Sequence, residues 1–121
     1  MKKTEIGAWG ENCAAEQLEK EGYRICCRNF RCRFGEIDLI AEKEDMLAFV
    51  EVKLRRSSSH GQAREFVTAS KQRKLRTTAS FYLAGHAWAQ ALQPRFDVFE
   101  IDAPQGPEGP VRFEHLKDAF E

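Results

Sequence analysis

The stretch from Gly35 to Arg56 constrains this chain more than any other. It reads GEIDLIAEKEDMLAFVEVKLRR. Apolar and polar residues alternate on both sides of Glu44-Asp45, the pattern of two strands joined by a two-residue turn. With Lys43 opposite Met46, antiparallel partners carry numbers that sum to 89. Asp38 then faces Glu51, Glu36 faces Lys53 and Ile40 faces Phe49. Residues two apart in a strand leave the same side. Glu36, Asp38, Glu51 and Lys53 are therefore expected on one face. Ile37, Leu39, Ala41, Ala48, Val50, Val52 and Leu54 form an apolar face that must be covered by helices. A slip of one residue would put Asp38 and Glu51 on opposite faces.

That cluster has an electrostatic problem. Ile40 and Phe49 share its face, so the carboxylates are partly removed from water. An isolated buried carboxylate takes up a proton, and several together repel. Lys53 offsets one charge, and a divalent cation would offset two. Carboxylate oxygens suit magnesium or manganese. Asp38 and Glu51 could hold one such ion with the Val52 carbonyl and water. Lys53 would orient water or donate to a phosphate, and Glu36 would join the metal shell or hold Lys53.

The rest of the chain supplies cations. Formal net charge is zero, but it is distributed in blocks. Residues 23–34 carry four arginines and no acid. Residues 35–51 carry six acids and one lysine, and residues 52–80 carry eight Lys/Arg against Glu65 alone. An acidic cluster between two basic segments is the arrangement expected of a metal site in a polyanion-binding groove. Arg33, Arg55, Arg56, Arg64, Lys71, Arg73 and Lys74 are the candidate backbone contacts.

Thr4 to Glu21 reads as a helix, with Thr4 as N-cap, Gly22 as stop and Ile6, Trp9 (or Gly10), Cys13, Ala14 and Leu18 as its stripe. Gly7 and Gly10 suggest a close backbone approach. Tyr23 to Phe30 reads as a strand, and Arg55 to Gly61 as a loop. Gln62 to Phe66 reads as a short helical turn and Thr68 to Ala84 as a second helix. Leu75, Ala79 and Tyr82 (or Leu83) line the inner side of that helix. Gln72, one turn ahead of Leu75, could point back to the acids. Gly85 to Gln93 is a link, Pro94 to Asp102 an alternating strand, Ala103 to Pro110 a loop, Val111 to His115 a short strand and Leu116 to Phe120 a turn.

The 121 residues suit a single compact domain over 1–121. The four cysteines lack CxxC spacing, which argues for reduced thiols over a zinc site. No apolar run approaches a bilayer span, and the start MKKTEIGAWGE has no apolar core behind its lysines. A cytoplasmic protein with no membrane partner is expected.

Gly7-x-x-x-Glu11, GEIDLIA at 35–41, FVEVK at 49–53, KQRKL at 71–75 and RFDV at 95–98 together resemble the bacterial YraN family. That is a family of predicted endonucleases related to archaeal Holliday-junction resolvases, within the PD-(D/E)XK restriction-endonuclease-like superfamily. The resemblance implies an α/β core: a helix, a three-stranded antiparallel meander, a second helix and further strands in a mixed sheet. It makes Asp38 the superfamily's acid, and Glu51 and Lys53 its E-x-K. Glu11 matches a helix glutamate brought to the metal site, and Gln72 a polar position on the second helix. Ile37 stands where the superfamily signature has proline, and Glu36 is an acid that signature does not require.

The expected function is a Mg2+- or Mn2+-dependent endonuclease hydrolysing phosphodiester bonds in DNA, duplex or branched, and a homodimer would suit a junction substrate. Two alternatives stay open. One is a non-catalytic nucleic-acid-binding module with a structural ion-pair ladder. The other is an adaptor in DNA repair or uptake, with Trp88, Phe96 and Phe99 near a protein contact.

Overall fold

A computed structural model provides the fold, describing residues 3–55 and 67–120. The elements run α1 (Lys3–Lys20), β1 (Arg24–Cys32), β2 (Gly35–Lys43), β3 (Met46–Arg55), α2 (Ala69–Gly85), a 3-10 turn (Ala87–Ala91), β4 (Gln93–Asp102) and β5 (Arg112–Phe120). The strands form one mixed sheet in the order β1-β2-β3-β4-β5. Only β3 and β4 pair in parallel among the four strand pairings. Parallel neighbours need a crossover, and α2 lies in it.

The helices cover opposite faces. Ala14, Ala15 and Leu18 of α1 pack with Leu39, Ala41, Ala48, Val50, Phe99 and Ile101. Leu75, Ala79 and Tyr82 of α2 pack with Ile37, Ile40, Leu47, Phe49 and Val98. α1 begins at Lys3, so Thr4 lies inside the helix instead of capping it. It stops as expected at Gly22, whose φ is 98°. The Gly22 N–H returns to the Glu19 carbonyl and the Tyr23 N–H to the Leu18 carbonyl, a Schellman closure. The close approach expected at Gly7 and Gly10 is not found. A Cβ on Gly10 would make an ordinary 3.7 Å contact with Ile101, and one on Gly7 would meet nothing.

The central hairpin keeps its expected register from the turn to Leu39 and Val50, but the pair expected beyond, Asp38 with Glu51, is not formed. Lys43 pairs with Met46, Ile40 with Phe49 and Leu39 with Val50. The four charged residues do not share one face: Asp38 borders α1, and Glu51 is held by Lys71 of α2. Glu44 takes the left-handed turn position with φ 57°. Ile37 departs from the expected apolar face. It packs on the α2 side with Ile40, whereas Leu39 and Ala41 pack on the α1 side. Strict alternation is therefore interrupted between Ile37 and Leu39, around Asp38. At the other end of the chain, the expected turn at Leu116 to Phe120 is instead the second half of β5. A bulge between Phe96 and Val98 lets the strand continue, with Asp118 at φ 53°. Leu116, Ala119 and Phe120 then pack against the α2-side core.

Gly35 opens β2 at φ 151°, and a Cβ there would lie 3.0 Å from the buried Thr78 hydroxyl. Gly35→Ala is expected to destabilise the protein by about 1–3 kcal/mol, read as a lower urea midpoint with an unchanged m-value.

Candidate active site

Past Leu39 and Val50 no further β2–β3 pair is formed. There the Val52 N–H donates to Asp38 Oδ2 at 2.8 Å. The acid side chain takes a hydrogen bond that a ladder carbonyl would otherwise accept, and the strands part beside it. Asp38 lies in a hollow with Gly7 and Glu11 of α1, Asn29 and Arg31 of β1, and Val52 and Leu54 of β3. Its carboxyl is pushed up to about 7, by burial first and by the Glu51 charge second, with Glu11 and Glu36 adding to the rise and the Val52 N–H opposing it.

Glu51 meets α2, near enough to Asp38 for its charge to raise that carboxyl. Its Oε1 accepts from Lys71 Nζ at 2.5 Å, and its side chain is only 13% exposed. Thr68 caps α2, its hydroxyl accepting from the Lys71 N–H at 3.1 Å. The helix N-terminus, Lys71 and Lys74 border a second hollow with Gly35 and Glu36. The first turn of α2 contains no acid, so its partial positive charge adds to the lysines. Lys53 leaves β3 two residues after Glu51, in register with Glu100 of β4.

The remaining candidates divide. Glu11 reaches the Asp38 hollow, where Asn29 Nδ2 donates to its Oε2 at 3.4 Å. Asn29 has φ 52°, a conformation that asparagine tolerates better than most residues. The sequence signal for it is slight: an asparagine between basic strand residues. Glu36 is not opposite Lys53. It pairs across to Arg31 at 3.0 Å, since the β2–β3 ladder ends before reaching it. The Gln72 amide donates to the Val67 carbonyl at 3.0 Å, a contact with the approach to its own helix. Lys71, expected on a phosphate, is engaged by Glu51. Arg55 is no surface cation: its side chain is 9% exposed and its Nε is 3.2 Å from Glu100 Oε2. Arg73 and Lys74 are exposed, and the Arg33 guanidinium lies 4.9 Å over the Phe34 ring. Arg56 and Arg64, with the expected loop and turn between them, fall outside the described residues. Of the aromatics assigned to a protein contact, Phe99 is buried in the core and Phe96 stacks between Phe49 and Phe120, leaving Trp88 exposed.

The donors suit a hard cation. Asp38 and Glu51 offer carboxylate oxygens, but among the described residues no three His, Cys, Asp or Glu side chains come together where they could hold a metal ion.

A mixed sheet between two helices, with an acid and an E-x-K strand meeting where the ladder opens, defines a restriction-endonuclease-like α/β domain. The chain belongs to the uncharacterised protein family UPF0102, whose profile matches residues 10–101. This is the YraN-like family of predicted endonucleases that the motifs resembled. A UPF0102 protein of Symbiobacterium thermophilum is 48% identical over 115 residues, covering 95% of each chain. One from Rhodococcus jostii is 45% identical over 117 residues, again 95% of each. One from Caldicellulosiruptor bescii is 40% identical over 120 residues, 99% of this chain and all of its own. Among the described residues no helix is long and apolar enough to cross a membrane.

Proposed function

We propose that this chain is a divalent-metal-dependent endonuclease that hydrolyses phosphodiester bonds in DNA, with branched or junction DNA its preferred substrate. The observation that carries this reading is Asp38 at the point where β2 and β3 part, near enough to Glu51 to feel its charge, with Glu51 held by Lys71 in the first turn of α2. Asp38, Glu51 and the Val52 backbone would hold Mg2+ or Mn2+, which when bound supplies charge neutralisation at the scissile phosphate. Lys53 donates to the phosphate or orients the attacking water. Glu11 and Asn29 border the same hollow as Asp38, where they would position water beside it. Lys71 balances Glu51 until substrate phosphate competes for its ammonium. Arg73 and Lys74 extend the positive surface along α2.

The rival reading, a binding module without catalysis, has one observation in its favour: Lys71 already neutralises Glu51. Metal titration separates the two. At a hundred times Kd, manganese is expected to stabilise the wild type by about 2.7 kcal/mol in thermal melting. Asp38→Asn, which keeps the shape but loses the charge, should abolish that gain. Cleavage of duplex, flap and four-way-junction DNA by the same preparations then ranks the substrates. A melting temperature unmoved by both magnesium and manganese would remove the metal reading and leave the binding module.

A further inference from the structure

The turn between β1 and β2 consists of Arg33 and Phe34. Turns favour Gly, Asn, Asp, Ser and Pro for reasons of backbone and side-chain chemistry, none of which phenylalanine supplies. Phe34 is 38% exposed and Phe81 of α2 is 45% exposed. The two rings meet edge to face, centroids 5.8 Å apart, and Phe81 leans on the half-buried Phe30 at 6.5 Å. Single exposed aromatics are ordinary, but two in contact form a platform that this fold leaves open.

The surroundings of the platform indicate what would cover it. Phe34 borders a shallow hollow whose other walls are Ser70, Arg73, Lys74 and Thr77, with no acid among them. Ser70 and Lys74 also border the neighbouring hollow at the N-terminus of α2, which includes Lys71, the partner of Glu51. A continuous track therefore runs from the aromatic rings, past two hydroxyls and two cations, to the candidate acids. Aromatic faces beside a cationic track are how proteins hold unpaired nucleotides: the bases stack and the phosphates meet lysine and arginine. A hydrophobic peptide would match the rings but leave the cations unanswered.

We propose that Phe34, supported by Phe81, stacks on an unpaired base of the nucleic acid, while Arg73 and Lys74 hold the adjoining phosphates. This rests on the nuclease reading and deepens it, because the platform selects substrates with unpaired nucleotides beside the cleavage point. Paired duplex keeps its bases stacked on one another and offers no face to Phe34.

The test is fluorescence anisotropy in calcium, measured with a blunt duplex and with the same duplex carrying a single-stranded flap. Wild type is expected to bind the flapped DNA more tightly. Phe34→Leu keeps an apolar side chain against Phe81 but removes the π face. It is expected to weaken flap binding about tenfold and to leave the blunt duplex unchanged. Arg73→Ala should weaken both DNAs alike and flatten the salt dependence by about 0.9 on logarithmic axes. Melting temperatures of both variants establish that they are folded. Blunt-duplex binding without a flap preference, or an equal loss on both DNAs in Phe34→Leu, overturns the stacking role and spares the nuclease reading. No binding of either DNA by the wild type overturns both. Self-association lost in Phe34→Leu, read by sedimentation velocity, would assign the platform to a second copy of the chain and overturn the proposal.

Discussion

Lys53→Ala is expected to lower manganese-supported DNA cleavage by about 10²–10³-fold, the range seen when one preorganised donor to a developing charge is removed. Lys53 leaves β3 on the side of Glu51, two residues beyond it, and its backbone is held in register against Glu100. The loss should fall on kcat, because an ammonium that meets charge developing in the transition state adds little to ground-state binding. Lys71→Ala is expected to behave differently. Removing an ammonium 2.5 Å from Glu51 frees that carboxylate, so manganese should bind more tightly while DNA binds more weakly. Single-turnover kinetics and metal titration on the two variants distinguish the roles. Identical cleavage by wild type and Lys53→Ala would mean that the activity comes from elsewhere in the preparation.

The second large effect lies in the core of the opposite half of the sheet. Asp97→Ala is expected to cost about 3–5 kcal/mol, the usual result of breaking a buried ion pair from one side. Asp97 is fully buried on β4. Arg95 donates to both its oxygens at 2.8 and 2.7 Å, His115 sits 2.7 Å from Oδ2, and the Asp118 N–H donates to Oδ1 at 3.0 Å. Arg95 also donates to the Tyr23 hydroxyl, and His115 lies 2.9 Å from Glu21. One carboxylate thereby binds β5 and the end of α1 to the sheet. Its removal leaves Arg95 with the Tyr23 hydroxyl and His115 with Glu21 as their remaining side-chain partners.

The same network sets a pH dependence. Burial would lift Asp97, but the His115, Arg95 and Asp118 hydrogen bonds outweigh it and hold the carboxyl below its ordinary 3.8. That contribution is present above about 3.8 and fades as pH falls through the lower folded value. Burial would depress His115, but Asp97 and Glu21 hold it above its ordinary 6.5. Its contribution is complete below about 6.5 and is lost as pH rises through the higher folded value. Melting temperature should therefore decline on the alkaline side of that point. The decline should be shallower in Asp97→Ala, where Glu21 alone still raises the imidazole.

The hairpin register was legible because every local signal agreed on it: alternation on both sides, a two-residue turn and a bulky pair at Ile40 and Phe49. The two-helix cover and the strand at Pro94 to Asp102 followed from the same kind of short-range pattern. What escaped was decided by distant partners. Arg55 reads as one more cation in a basic run until β4 brings Glu100 beside it. Lys71 reads as a phosphate contact until the crossover carries it to Glu51. The half of β5 beyond His115 reads as a turn because distant partners set it: the Asp118 N–H bonds to Asp97, and Leu116, Ala119 and Phe120 pack on the α2-side core. The interruption at Asp38 was invisible for a different reason. Period-two counting assumes an unbroken ladder, and here a side chain replaces one of its rungs.

That replacement makes Asp38 a wedge as well as a ligand. Its carboxylate occupies the N–H through which β3 could otherwise zip one step further onto β2. An alanine at this position would delete the charge and release the wedge together, so an inactive Asp38→Ala protein would say nothing about which loss mattered. Asparagine retains an oxygen for the Val52 N–H and keeps the cleft propped. The gap in behaviour between the two variants measures how much of the site is chemistry and how much is the space in which chemistry happens.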